Sequence, residues 1–385
     1  MKRPSALWLI PVAAALLLLV PAAASAQSTT SPFATTVPHP AGAGGLVFTM
    51  TNAVSGNAVL AYHIGAGGGL VSEGRFATHG KGTGVSLADA GSVVLAKDHQ
   101  FLLVVNAGSN TVTVFSVRAP TPGQTVLTYV DRASSHGVSP VSIAVHGSVV
   151  YVLNAGNATT PGNIAGFLLV DHGLLLALPH ATQPLSTTAP TGPAQVAFNP
   201  AGTVLVVTEK NTNEIDTYPV NAWGVAQSPT FTPSNGTTPY GFAFDPNGAL
   251  LVSDAASDAL TSYTVASTGA LTVVSGTVGD NQTAPCWVAT VHGGKIAFTS
   301  DAHSNAISSY AVGRGGTLTL IASAAATTGA ADTDLAVGGP HGQYLLVYDA
   351  GAAEIQEFHI GATGGLTLLY TVSGLPSSSE GLAAF

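Results

Sequence analysis

The chain has 385 residues, of which 10 are Lys or Arg and 19 are Asp or Glu, a charged share of 8% against roughly 25% in an average soluble domain. With 46% hydrophobic residues, 45 Gly and 23 Pro, it is too apolar for a disordered chain and too poor in Glu, Lys and Arg for a helical bundle or coiled coil. The net charge of −9 argues against a nucleic-acid binder, which needs clustered cations to neutralise phosphates. Abundant Val and Thr among the Gly and Pro predict an all-β chain of short strands and many turns.

At the start, Lys2 and Arg3 precede the apolar run Ala13–Val20, and Ala24-Ser25-Ala26 follows it. This order predicts a cleavable secretory signal over residues 1–26, cut near Ala26-Gln27, and hence a secreted or extracytoplasmic bacterial protein. Pro21 and the shortness of the run argue against a membrane anchor. Loss of Lys2 and Arg3 takes the net charge from −9 to −11. Residues 27–44, rich in Ser, Thr and Pro, read as a flexible lead. No later segment approaches the length of apolar chain needed to span a bilayer. Cys286 is the sole cysteine, so no intrachain disulfide exists, and its neighbours Pro285, Trp287 and Val288 predict a buried, inert thiol.

From Gly45 onward one unit returns seven times. Its template is Val104-Val105-Asn106-Ala107-Gly108-Ser109-Asn110-Thr111-Val112-Thr113-Val114-Phe115: an apolar strand, a polar turn and an alternating strand closed by an aromatic. The closing aromatics are Tyr62, Phe115, Phe167, Tyr218, Tyr263, Tyr310 and Phe358, with gaps of 53, 52, 51, 45, 47 and 48 residues. An inner apolar segment precedes each unit, as in Phe242-Ala243-Phe244, and a Gly-led strand follows, as in Gly269-Ala270-Leu271-Thr272-Val273. Four strands repeated at this period predict a seven-bladed β-propeller of WD40/YVTN-like kind over residues 45–385. The first copy lacks its inner strand, and Glu380-Gly381-Leu382-Ala383-Ala384-Phe385 resembles it. The C-terminal strand is therefore expected to complete the first blade and close the ring.

In such a ring the loops leading into the inner strands form a funnel, and polar residues there are the candidates for chemistry. Glu209 stands where other copies carry Asn106, Asn154, Asp254, Asp301 and Asp349, and Lys210 follows it. It is either a longer turn with a local ion pair or a carboxylate reaching over the funnel as acid, base or ligand contact. Arg132 and His136, ahead of the inner strand at Val141, either hold an anion or lie on a solvated loop. Asp334 and Glu380 either cap strand-leading turns or act as paired acids on a proton or cation. Tyr240 and Trp287 offer a stacking platform or ring-core burial, and Gln195 a polar contact. Scattered His without a Cys/His cluster predict no metal site, no cofactor motif is present, and no Gly-x-Ser-x-Gly occurs.

The repeat Leu-Val-Val-Asn-Ala-Gly-Ser-Asn-x-Val-x-x-Phe followed by Gly-x-Leu resembles the seven-bladed propellers of the lactonase family, which includes 6-phosphogluconolactonase and 3-carboxy-cis,cis-muconate lactonising enzymes. Pro140–Val145, Thr208–Thr217 and Pro285–Ala289 resemble a secreted branch of it. The resemblance implies a Gly-Pro-Arg-His run and a following Glu in the catalytic site; this chain reads Gly192-Pro193-Ala194-Gln195, then Glu209. Pro140-Val141-Ser142-Ile143 likewise stands where the family carries Pro-His-x-His. With Arg and His replaced, the expected function is a non-catalytic, monomeric module binding a lactone-like, carbohydrate-like or protein ligand on its funnel face. The alternative is a lactone hydrolase or cycloisomerase using Glu209 with Arg132 or His136.

Overall fold

The computed structural model describes residues 45–385 apart from 66, 122, 123 and 292. The expected signal peptide and lead lie outside the described residues. Among those described, 28 strands form seven four-stranded antiparallel sheets, with three single-turn 3-10 helices beside them. The inner strands of blades 2 to 7 are Val93–Ala96, Pro140–His146, Pro193–Phe198, Pro239–Phe244, Pro285–Val291 and Asp332–Gly338. Glu380–Ala384 is the inner strand of blade 1, beside Leu46–Met50, with Val47 opposite Ala384 and Phe48 opposite Ala383. It touches the inner strands of both blade 7 and blade 2, so the ring closes as the repeat predicts. No helix among the described residues is long and apolar enough to cross a membrane.

The composition follows from the stacking of blades. The second strands Phe101–Asn106, Val204–Glu209, Ala249–Asp254 and Ile296–Asp301 are buried at every residue. They are covered by a neighbouring blade on each face, so they read as continuous apolar runs. Outer strands such as Leu70–Ala77 and Leu366–Ser373 bury only every third or so residue partly and carry the polar surface. All seven closing aromatics lie on the third strands and are buried. Each contributes about 1.5–3 kcal/mol of apolar burial between blades.

The polar turn is built from one repeated pairing. Asn106, at the end of its second strand, donates to the Thr113 hydroxyl at 2.9 Å, seven residues on in the third strand. Thr261 donates to Asp254 and Ser308 to Asp301 (2.7 Å) at the same spacing. The loop from the preceding blade lies directly on these side chains. A Cβ on Gly137 would fall 2.4 Å from Asn154 Cγ, and one on Gly236 2.3 Å from Asp254 Cγ, so only glycine permits the approach. The heads of four inner strands then carry the same register shift, between Pro140 and Ser142, Pro193 and Gln195, Pro285 and Trp287, and Asp332 and Asp334. Such β-bulges re-aim side chains at the rims of closed sheets.

Candidate functional site

The first three candidates do not meet. Arg132 lies on the outermost strand of blade 2, Gln124–Ser134, exposed, with its guanidinium donating to the His79 carbonyl. His136 is exposed in the next loop, its ring edge-on to Phe167 at 5.3 Å, over the third strand of blade 3. Both are displaced from the channel because the loop starts at the outer edge of one blade and crosses its top. Glu209 is fully buried in blade 4. Its carboxylate accepts the Ser186 amide (2.9 Å), the Ser186 hydroxyl and the Thr212 hydroxyl (2.6 Å). Asp216, seven residues on, occupies the place of Thr113 and Thr261; burial and then the adjoining Glu209 push its carboxyl up to about 9. The pair therefore holds the proton that a hydroxyl supplies in the other blades, and Glu209 occupies the turn-forming position.

The other six converge at one end of the central channel. Lys210 reaches inward from blade 4, its Nζ 2.5 Å from the Ala88 carbonyl and 4.6 Å over the Tyr240 ring. The Tyr240 and Trp287 rings lie 5.1 Å apart at 60°. Asp334 accepts the Leu335 and Leu382 amides, each at 2.8 Å, and Glu380 accepts the Leu87 amide at 3.0 Å. Gln195 accepts the Phe242 amide at 2.7 Å, fixing one inner strand to the next.

What covers this mouth had no counterpart in the repeat. Residues 78–92, between blades 1 and 2, form a connection of fifteen residues where the other blades use four to eight. Ser86–Gly91 dips into the mouth and bonds across the ring. Its Asp89 carbonyl accepts Trp287 Nε1 at 2.8 Å, and the Ala90 amide donates to the Ala194 carbonyl at 3.0 Å. The Ala90 carbonyl accepts the Ser142 hydroxyl at 2.6 Å. Three blades other than its own neighbours thus grip one short segment, while Asp334 of blade 7 and Glu380 of blade 1 repel its Asp89. The length of the connection and the gap of 53, the largest in the series, were the only signals of it.

Asp89 is the residue that sequence reasoning passed over. It is buried, and neither carboxylate oxygen makes a hydrogen bond of good geometry; the Ser92 hydroxyl beside it is its one side-chain partner. Burial, then Glu380 and Asp334, raise its carboxyl well above the usual range, while Lys210 opposes them. Burial also raises Asp334 and pushes Glu380 up to about 7. It lowers the Lys210 ammonium to about 8, against the attraction of Asp89. Clusters of perturbed acids and bases in a cleft mark functional sites more often than structural ones. Beside the segment lies a cavity of about 300 Å³ lined by Ala90, Gln195, Trp287 and Asp334 together with the backbone and aliphatic side chains of the inner strands. Among the described residues no group of three or more His, Cys, Asp or Glu converges tightly enough to hold a metal ion.

Solved structures share this fold. A periplasmic gluconolactonase of Pseudomonas aeruginosa superposes with a TM-score of 0.70 at 18% identity, over 89% of this chain and 98% of that one. A candidate 6-phosphogluconolactonase of Bacteroides uniformis gives 0.68 at 17% identity, over 88% and 99%. A second, of Bacteroides fragilis, gives 0.67 at 17%, over 89% and 98%. At these identities the likeness is one of fold. No curated protein sequence matches the chain. Residues 175–282, from the outer strand of blade 3 to the loop ahead of blade 6, match the family model described as Lactonase, 7-bladed beta-propeller. Ring and repeat agree that the chain is a seven-bladed β-propeller, and its residues 175–282 resemble the lactonase propellers.

Proposed function

We propose that the chain is a ligand-binding propeller that holds a small neutral or positively charged molecule in the channel beneath Ser86–Gly91. Asp89 carries this reading. Its buried carboxyl has no better side-chain partner than Ser92, and a buried polar group so poorly satisfied costs about 1–3 kcal/mol. The one ammonium there, Lys210, already serves the Ala88 carbonyl and the Tyr240 face, so a phosphorylated sugar lactone finds no free cation. With Ala194 and Gln195 at the positions of the expected Arg and His, binding without turnover is the first reading, by an exported monomer.

Lactone hydrolysis is the second reading, and one observation favours it. Glu380 and Lys210, near 7 and 8 in the same mouth, match the operating range of a general acid–base pair. The periplasmic gluconolactonase has the same fold, which is compatible with either reading. Purified protein is assayed on neutral sugar lactones and by ligand-induced shifts in melting temperature, beside Glu380→Gln and Trp287→Ala. Turnover that disappears in Glu380→Gln establishes hydrolysis and refutes the first reading. A melting shift without turnover, lost in Trp287→Ala, supports it. Neither signal with any ligand refutes both.

A further inference from the structure

The crossing segment is tied to the ring at both ends. Ahead of it, the Asn52 carbonyl accepts the Gly84 amide at 2.8 Å, and Asn52 Nδ2 donates to the Val85 carbonyl at 2.7 Å. Behind it, the Gly91 carbonyl accepts the Ile143 amide at 2.9 Å and the Ser92 carbonyl accepts the Val105 amide at 3.0 Å. The five residues between, 86–90, belong to no strand, pass from exposed at Ser86 to buried at Asp89, and turn through a left-handed Ala88 (φ 52°). Side chains hold most of this stretch. Glu380 accepts the Leu87 amide, Lys210 donates to the Ala88 carbonyl, Trp287 to the Asp89 carbonyl and Ser142 to the Ala90 carbonyl. Only the Ala90 amide, on the Ala194 carbonyl, makes a backbone bond across the ring. Two of the four side chains, Glu380 and Lys210, are ionisable.

Asp89 is the one ionisable residue among the five, and it is carried inward, against repulsion. Asp89, Asp334 and Glu380 are all buried. The groups that face Asp89 are Glu380 and Asp334, which repel it, Lys210, which attracts it, and the Ser92 hydroxyl, its hydrogen-bond partner. Tyr240 and Cys286 complete the titratable groups of the mouth; burial raises the Tyr240 phenol still further, so it stays neutral. With their protons, the three acids are uncharged and the stretch lies easily in the mouth. Without them, three buried negative charges stand against one ammonium, a burden that moving Asp89 into water relieves.

We infer that residues 86–90 form a pH-operated strap across the channel mouth, seated while Asp89, Asp334 and Glu380 carry their protons and released into solvent when they ionise. Ala90 and Gly91 line part of the cavity, so release opens it on its covered side. The inference goes beyond the ligand-binding reading and holds whatever the channel takes. Its direction follows from the protons. Burial, then Glu380 and Asp334, raises Asp89 from its ordinary 3.8, and burial raises Glu380 from 4.5 to about 7. Release returns both toward their ordinary values, so the seated form binds more protons. Its advantage is complete below about pH 4 and is lost as pH rises through 7. Lys210, lowered to about 8 by burial, acts in the opposite sense only above that window.

Hydrogen exchange of the full-length protein at pH 5, 6 and 7, corrected for intrinsic rates, tests this. The Leu87 and Ala90 amides are expected to lose protection by about tenfold per pH unit for each proton released, while second strands such as Val204–Glu209 keep theirs. Asp89→Asn removes the strap's own charge and should hold its protection at pH 7 at least about tenfold above wild type. Asp334→Asn removes one repelling charge and should shift the loss to higher pH. Circular dichroism verifies both folds, and Asp334→Asn decides alone if Asp89→Asn does not fold. Protection of the strap that is the same at pH 5 and 7 would overturn the inference. So would a loss shared equally by the second strands, or a pH dependence that the folded variants leave unchanged.

Discussion

Replacing Glu209 by Gln separates a turn-forming role from a catalytic one. The buried carboxylate accepts three donors, the Ser186 amide and the Ser186 and Thr212 hydroxyls. Hydrogen bonds to a charged acceptor contribute about 1.5–3 kcal/mol and neutral ones about 0.5–1.5. Three bonds each weakened by about 1 kcal/mol give a loss near 3 kcal/mol. An opposing effect reduces it: Asp216 is held up near 9 partly by Glu209, and a neutral amide relieves that repulsion. The expected net loss is about 1–3 kcal/mol, or about 2 °C in melting temperature per kcal/mol for a chain of this size. Unfolding followed by circular dichroism reads the loss, and ligand binding or lactone turnover is measured beside it. Stability equal to wild type together with abolished turnover would refute the turn-forming assignment.

Four other outcomes follow from the same geometry. The buried Tyr151 hydroxyl donates to the Gly224 carbonyl (2.9 Å) and accepts the Ala226 amide (2.6 Å), so Tyr151→Phe orphans two groups and should cost about 2–4 kcal/mol in urea unfolding; a change below 0.5 contradicts this. Glu380, raised from 4.5 to about 7, binds its proton more tightly in the folded state. Its contribution is present below pH 4.5 and is lost as pH rises to 7, on the order of 3 kcal/mol. Glu380→Gln should flatten the stability profile across that window, and an unchanged slope argues against the shift. A Cβ on Gly241 would lie 2.5 Å from the Cys286 carbonyl, so Gly241→Ala should lower stability by about 1–3 kcal/mol through overpacking. Trp287→Phe removes the indole bond to the Asp89 carbonyl and should speed amide exchange in Ser86–Gly91 while the second strands keep their protection; uniform exchange rates would show that the bond does not hold the segment.

The blades were legible because each one repeats the same physical task. An apolar second strand covered on both faces and an aromatic on the third leave a mark every 49 or so residues, and the closing strand repeats the inner one. Glu209 misled because its explanation is a register fact. Asp216 is seven residues away, and only the strand pairing shows that it replaces Thr113 or Thr261 and that the two acids can share a proton. Asp89 was hidden for the opposite reason. It belongs to a connection with no equivalent in other blades, so no comparison between copies could draw attention to it, and only the length of residues 78–92 set it apart.

The geometry of the channel mouth explains why no motif announces it. Four inner strands begin with the same register shift, and the residue just after it is Ser142, Gln195, Trp287 or Asp334, according to the blade. A site composed this way takes one residue from each of several blades, far apart in sequence and brought together only in the closed ring. The bulge keeps the backbone alike in every blade while its side chain varies freely, so stability constrains the repeat and recognition is left to these positions. The crossing segment completes the arrangement by bonding to Ser142, Ala194, Trp287 and Glu380. Those bonds engage the backbone around Asp89 and leave its buried carboxyl to Ser92 and to the repulsion of Glu380 and Asp334.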